Sequence, residues 1–241
     1  MDIRDLIKEK IISFGYEYGN TSGTYSKMDQ NIEIFESKII NTELDNKEII
    51  INEKRKIFNN QLNRKLSFKP NNTIELYDLV SRFVITTNSS KPAKINNQLI
   101  DHKESEKYYQ FPVKEAIIPL DGKYNLRFTK ICDANYKEFE EVIYIRDSKE
   151  ISKNKFTWIL HHRLISKINS DLKIIFCTRH LNGEFSLINK LSPRYLKKKL
   201  FRIRERSFPN FPLMAISLSK AKKNKEFIIN TSISISDEKY Y

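Results

Sequence analysis

A period-two alternation of polar and apolar residues in the second half of the chain constrains its fold more than any other feature. In Lys123–Ile131 the apolar residues Tyr124, Leu126 and Phe128 alternate with Asn125, Arg127 and Thr129. Successive side chains of a β-strand point to opposite faces, so the pattern predicts a strand with one apolar and one polar face. Strands are also predicted at Lys114–Ile118, Phe139–Arg146, Lys155–Ile165, Leu172–His180, Leu200–Phe208, Met214–Lys220 and Phe227–Ile235.

The first half of the chain is less regular. Apolar residues at helical spacing predict a helix over residues 2–14, with Asp2 as its N-cap and Gly15 as its stop. Residues 19–30 are predicted as a loop, residues 32–52 as a hairpin, and residues 73–84 as a second helix. The end of this last segment, Phe83 to Thr87, could equally be a strand. The chain is therefore expected to form one α+β domain over residues 1–241, built on an antiparallel sheet or barrel with a few flanking helices.

The charge of the chain points to a polyanionic partner. The formal net charge is +13, and nucleic acid is the expected partner of such a surface. Lysine, asparagine and isoleucine are all abundant, as in proteins of AT-rich genomes, so arginine clusters are more informative than scattered lysines. Arg202, Arg204 and Arg206 share one strand face and would form a ladder for phosphates. The alternative for this segment is a solvated basic edge strand.

Several function classes lack their sequence signals. Glycine is scarce, and no glycine motif for nucleotide binding is present. The four histidines and the two cysteines, Cys132 and Cys177, have no metal-ligand spacing. With no apolar segment for export or membrane insertion, an intracellular protein of the nucleus or cytoplasm is expected.

The polar strand faces allow two architectures. If they turn outward, they form the ordinary surface of a β-sandwich. If they turn inward, they line the lumen of a barrel with Arg and Lys, which requires phosphates and a metal to balance the charge.

Three motifs in the second half of the chain resemble those of the metal-dependent RNA 5′-triphosphatases of fungi and viruses, which are triphosphate tunnel enzymes. The segment YNLRFT, with Arg127, is similar to the family strand of YDLRIS type. The segment RIRERS, with Arg204, Arg206 and Ser207, resembles a KxRxS strand, and AISLSK, with Ser219 and Lys220, resembles a RIDLTK strand.

The resemblance implies a tunnel-like antiparallel barrel that removes the terminal phosphate of RNA 5′ ends during mRNA capping. It implies catalytic roles for Arg127, Arg204, Arg206 and Lys220, and phosphate binding by Lys198, Arg202 and Ser219. Mg or Mn would be held by Glu33 and Glu36, with Glu138, Glu140 or Glu141 as further acidic partners. The implied partners are RNA 5′ ends and subunits of the capping or transcription machinery.

The acidic strands depart from the family pattern. Glu33 and Glu36 are three residues apart, so a regular strand places them on opposite faces unless a bulge intervenes. A second acidic strand would be due near Tyr241, so either the natural protein is longer or the metal site has been lost. The alternative function is a non-catalytic nucleic-acid-binding or assembly subunit, with basic strands on the backbone and aromatics such as Tyr108 and Tyr109 stacking on bases.

Overall fold

Antiparallel β-strands dominate the computed structural model, which describes residues 1–20, 23–28, 38–43, 48–102, 108–109, 115–121, 123–131, 136–148, 155–166 and 218–237. The elements are α1 (Ile3–Lys8), β1 (Ile12–Asn20), β2 (Gly23–Met28), β3 (Lys38–Glu43), β4 (Ile49–Phe58), β5 (Gln61–Pro70), β6 (Ile74–Thr87), β7 (Ala93–Ile95), β8 (Gln98–Ile100), β9 (Tyr108–Tyr109), β10 (Glu115–Pro119), β11 (Tyr124–Lys130), β12 (Phe139–Ser148), β13 (Phe156–Ser166), β14 (Ser219–Ala221) and β15 (Phe227–Asp237). No helix among these residues is long and apolar enough to cross a membrane.

The strands form two sheets. Sheet A has seven strands in the order β2-β1-β6-β13-β12-β9, and β14 pairs with the beginning of β6. Sheet B has eight strands in the order β3-β4-β5-β15-β11-β10-β7-β8. The two sheets pack face to face, because residues of both contribute to each of two buried apolar clusters.

The predicted closed barrel is not found among the described strands. Their order ends at β2 and β9 in sheet A and at β3 and β8 in sheet B instead of returning on itself. Large apolar side chains such as Phe14, Phe83 and Phe128 fill the space between the sheets, where a tunnel would need an open lumen. The structure thus confirms the antiparallel β-rich fold and replaces the tunnel with a sandwich over these residues.

The predicted helix over residues 2–14 is wrong beyond Lys8. Helix α1 begins after Asp2, whose side chain accepts a hydrogen bond from the backbone N–H of Arg4 at 2.8 Å. Lys10 adopts a positive φ of 58°, and strand β1 begins two residues later. Large buried apolar residues then recur at every second position of β1, namely Ile12, Phe14, Tyr16 and Tyr18. Only Ile3, Leu6 and Ile7 carry the helical spacing into the core.

Two further predictions in the first half of the chain are corrected. The predicted loop at residues 19–30 contains the end of β1 and strand β2, which pair in a hairpin. The predicted helix at residues 73–84 is strand β6, which pairs with β1 on one side and β13 on the other. The β-branched residues near its end, including Val84 and Thr86, favour the extended backbone, and neighbours on both sides outweigh the local helical spacing.

Candidate nucleic-acid interface

Strands β4 and β5 carry lysines on the face of sheet B that points away from sheet A. In β4, Ile51 and Ile57 are buried, whereas Lys54 and Lys56 are exposed. In β5, Leu66 and Phe68 are buried, whereas Lys65 is exposed. The period-two alternation of the strands therefore separates the lysines from the core and places them on one outward surface.

Cations outnumber carboxylates at the described outward positions of sheet B, and we call this surface the cationic face. In β4, β5, β7, β10, β11 and β15 these positions hold six cations and one carboxylate, namely Lys54, Lys56, Lys65, Lys69, Lys94, Arg127 and Glu115. Lys54 lies directly opposite Lys65, and Ile117 lies between Lys94 and Arg127. Side chains in register on neighbouring strands are about 5 Å apart, and those two residues apart on one strand are about 7 Å apart.

Neutral hydrogen-bonding groups lie between the cations. The outward positions of β15 are polar at Asn230, Ser232, Ser234 and Ser236. The Gln61 amide donates to Asn63 Oδ1 at 3.1 Å and to Ser232 Oγ at 2.7 Å, so part of this layer is already ordered. Hydroxyl and amide groups also donate to phosphate oxygens, so the face combines charge with ordered donors.

The inner face of the same strands carries a buried ion triad. Arg55 contacts the Glu53 carboxylate through Nε at 2.6 Å and Nη2 at 2.8 Å, and Arg64 Nε donates to the same carboxylate at 2.5 Å. Arg64 is about as buried as any large residue, with 1 % of its side chain exposed. Burial by itself raises the pKa of Glu53, but Arg64 and Arg55 outweigh it and lower the pKa to about 2.

Arg64 also ties sheet B to sheet A. Its Nη1 donates to the backbone oxygen of Gly15 at 3.1 Å and to Ser81 Oγ at 2.9 Å. Gly15 also allows β2 to pack closely on β1, because a Cβ at Gly15 would lie 2.7 Å from the backbone oxygen of Lys27 and 2.4 Å from Met28 Sδ, both on β2. The arginine therefore spans the sandwich and separates the two apolar clusters.

A second group of buried polar side chains lies beside the ion triad on the inner face of sheet B. His162 forms hydrogen bonds through Nδ1 with Thr231 Oγ1 at 2.8 Å and through Nε2 with Glu141 Oε1 at 2.7 Å. Lys130 Nζ lies 3.8 Å from Glu141 Oε2. Burial lowers the pKa of His162, and the hydrogen bond to Glu141 opposes the shift only in part. Arg55, Arg64, Thr231 and Lys130 are successive register partners across β4, β5, β15 and β11, so they form one polar row on the inner face. We call this row, with Glu53, Ser81, Glu141 and His162, the polar belt.

Two acids and two arginines form a cluster of ion pairs on the side of sheet A that points away from sheet B. Glu17 lies 3.0 Å from Arg82 and 4.0 Å from Arg163, while Asp78 lies 3.6 Å from Arg163. The Arg163 guanidinium also lies over the Tyr144 ring, 5.0 Å from its centroid. These two acids and two arginines leave no excess charge, in contrast to the cationic face of sheet B.

The structure does not bring the described members of the predicted triphosphatase site together. Arg127 lies on the cationic face, 53 % exposed, and forms an ion pair with Glu115 instead of lining an interior. Ser219 and Lys220 lie on β14 in sheet A, where Ser219 Oγ is 2.7 Å from Ser166 Oγ and Lys220 is exposed. The other predicted residues, Lys198, Arg202, Arg204, Arg206, Glu33 and Glu36, lie outside the described part of the chain.

Two of the three predicted acidic partners, Glu138 and Glu141, bind other side chains of the protein. Glu138 accepts two hydrogen bonds from Lys225 Nζ, at 2.7 and 2.9 Å, which lower its pKa, and Glu141 belongs to the polar belt. Within the described ranges, no three His, Cys, Asp or Glu side chains are grouped so that they could hold a metal ion. The backbones of Tyr108 and Tyr109 form β9, but their side chains are outside the description.

Sequence reasoning missed the lysines of β4 and β5. The alternation of Ile51, Lys54, Lys56 and Ile57 was available as a signal, but Glu53 and Arg55 occupy core-facing positions and interrupt the apolar pattern. Comparison with protein-family models finds no match, and neither does comparison with curated proteins.

Proposed function

We propose that this protein binds the phosphate backbone of nucleic acid on the cationic face of sheet B. The excess of six cations over one carboxylate at the outward positions of β4, β5, β7, β10, β11 and β15, where side chains are described, supports this function best. Lysine is a compact, strongly hydrated charge that attracts phosphates without a fixed geometry, so binding should depend on backbone charge more than on sequence.

The scaffold suits this role, because the sheet holds the lysines at regular spacing. Strand pairing on both sides of β4 and β5 orders their backbones, so binding requires the ordering of side chains alone. The net charge of +13 adds a long-range attraction for polyanions.

Charge-removing variants test the proposal. We expect Lys54→Gln, Lys56→Gln and Lys65→Gln combined to weaken binding of a fluorescent RNA oligonucleotide by roughly 10-fold or more at low salt. The slope of log affinity against log salt should fall in magnitude by about 2 to 3, because each lost phosphate contact removes one released counterion. Fluorescence anisotropy across a salt series measures both quantities.

The matched control removes the same charge from other surfaces. Lys137, Lys155 and Lys222 are exposed and lie outside sheet B, so their combined change to Gln should leave the salt slope nearly unchanged. Equal losses of affinity in the two triple variants would show that net charge alone drives binding. Binding that does not depend on salt would reject the proposal.

Removal of the terminal phosphate from RNA 5′ ends with Mg or Mn, within a capping or transcription assembly, remains a prediction from sequence resemblance. The observation that bears on it is the exposure of Arg127 on the cationic face, where it can meet a 5′-phosphate. Phosphate release from triphosphate-ended RNA, compared between the parent and Arg127→Ala, tests it separately from binding.

A further inference from the structure

One exposed aromatic ring lies on the cationic face. Phe58 is 66 % exposed, and it shares its strand face with Lys54 and Lys56, since the intervening Ile57 is buried. The other described large apolar residues that are more than half exposed, Leu99 and Ile131, are aliphatic. An aromatic ring at the end of a lysine row has the two elements that sequence-tolerant binding of single strands uses, which are charge along the backbone and a flat surface for a base.

A tight turn holds the ring in place. Asn59 and Asn60 connect β4 to β5 with positive φ angles of 46° and 59°, and Phe58 is the register partner of Gln61. Two left-handed residues in a two-residue connection match the twist of a hairpin, and asparagine tolerates this conformation. Phe58 therefore lies at the end of an ordered strand, so its backbone loses little conformational freedom when a base stacks on the ring.

The space beside the ring offers polar groups for a base edge. An open groove of about 370 Å³ is lined by Arg4, Ile57, Phe58, Asn59 and Asn60. Amide side chains donate and accept hydrogen bonds, and a guanidinium donates them, so the groove can satisfy the edge of a base whose face lies on the ring.

We propose that the nucleic acid on the cationic face is single-stranded and that one of its bases stacks on Phe58. This inference rests on the proposed function and specifies its ligand. Away from its ends, a duplex keeps its bases paired and stacked on one another, so they cannot offer a face to Phe58, whereas an unpaired base can. Lys56 and Phe58 are two residues apart, so phosphate and base contacts fall about 7 Å from each other along β4.

The test uses Phe58→Leu with the parent protein and two probes, a single-stranded oligonucleotide of about 12 nucleotides and the blunt duplex of the same length. Loss of one stacked base should weaken single-strand binding by about 5- to 100-fold and leave duplex binding unchanged. Leu99→Ala is the matched control, because it removes another exposed apolar side chain from sheet B and should change neither affinity.

Phe58→Trp supplies a direct signal. The only tryptophan of the chain, Trp158, is 1 % exposed, so an indole at position 58 would be the one accessible to a base. We expect this variant to retain single-strand binding and to lose fluorescence when the single strand is added, with a much smaller change for the duplex.

The outcomes separate the two proposals. If the lysine variants weaken binding but Phe58→Leu does not, or if Phe58→Leu weakens both probes equally, stacking is overturned and backbone binding stands. If the parent protein binds neither probe, the proposed function fails, and the stacking inference fails with it.

Discussion

Both faces of β4 and β5 carry positive charges, but those of the inner face are buried and paired and those of the outer face reach solvent. On the inner face, Arg55 and Arg64 surround one carboxylate in a dry environment, whereas on the outer face Lys54 and Lys65 face each other in solvent. A shift of one residue in strand register would exchange the two sets, so register alone decides which cations are buried beside a carboxylate and which reach solvent. Basic composition therefore does not identify a binding surface until the face of each strand is known.

The choice of residue agrees with this division. The planar guanidinium forms two parallel hydrogen bonds with a carboxylate, as Arg55 does with Glu53, and remains charged when buried. The lysine ammonium is strongly hydrated and less suited to burial, but it can follow a phosphate backbone without a fixed partner. Removing a charge from the inner face should therefore lower the free energy of unfolding strongly, whereas removing one from the outer face should change it little.

The largest expected effect is on the inner face. Glu53→Gln keeps the shape of the side chain but leaves Arg55 and Arg64 buried without their counter-charge, which should lower the free energy of unfolding by about 3–5 kcal/mol. Lys54→Gln, one residue away on the outer face, should change it by less than about 0.5 kcal/mol. Urea denaturation of the two variants measures both, and a loss below about 1 kcal/mol for Glu53→Gln would mean that the triad does not stabilise the sandwich.

Acid should weaken the polar belt in two steps. The fold favours the neutral form of His162. Its contribution to the free energy of unfolding is therefore fully present above pH 6.5, the ordinary pKa of histidine, and declines as the pH falls toward the lowered pKa of the folded state. Glu53 is favoured as the carboxylate, so its contribution of about 3 kcal/mol is lost as pH falls from 4.5 to about 2.

Urea denaturation at a series of pH values follows both steps. The variant His162→Gln has no titrating group at that position and should lose the upper step alone, while the lower step remains. A parent protein that is equally stable at neutral pH and at pH near 3 would contradict the expectation for Glu53.

The smallest effect is expected for the ion pair between Arg127 and Glu115 on the outer face. Both side chains reach solvent, so a double-mutant cycle with Arg127→Ala and Glu115→Ala should give a coupling of at most about 1 kcal/mol that decreases with salt. A salt-independent coupling well above that value would place Arg127 among the residues that stabilise the fold.

Much of the β architecture could be predicted from local alternation, but part of it could not. Strands β11, β12, β13 and β15 are predicted within about two residues, because each is rich in aromatic and β-branched or other apolar residues. In residues 53–70 the apolar pattern is interrupted, since Glu53, Arg55 and Arg64 take core positions that only a partner sheet can make favourable. The predicted strands Leu172–His180 and Leu200–Phe208 fall outside the described residues.

The site was less predictable than the fold. Alternation correctly placed Arg127 on the polar face of its strand, but it could not say whether that face turns toward a lumen or toward solvent. This direction depends on which strands close against each other, and such pairings join residues far apart in the chain. The lysines of β4 and β5 are unremarkable in a chain this rich in lysine, and Phe58 becomes notable only through its exposure.

The position of β15 in the middle of sheet B has a consequence for how the protein is made. β15 joins β5 to β11, and its contact between Ser232 and Gln61 links residues 171 positions apart. At roughly 5–20 residues per second, the β4–β5 hairpin leaves the ribosome on the order of ten seconds before its neighbour exists. During that interval one edge of the hairpin is open to strands of other nascent chains. We expect the charges of Lys54, Lys56 and Lys65 to disfavour such pairing and so to protect the hairpin from aggregation during this interval.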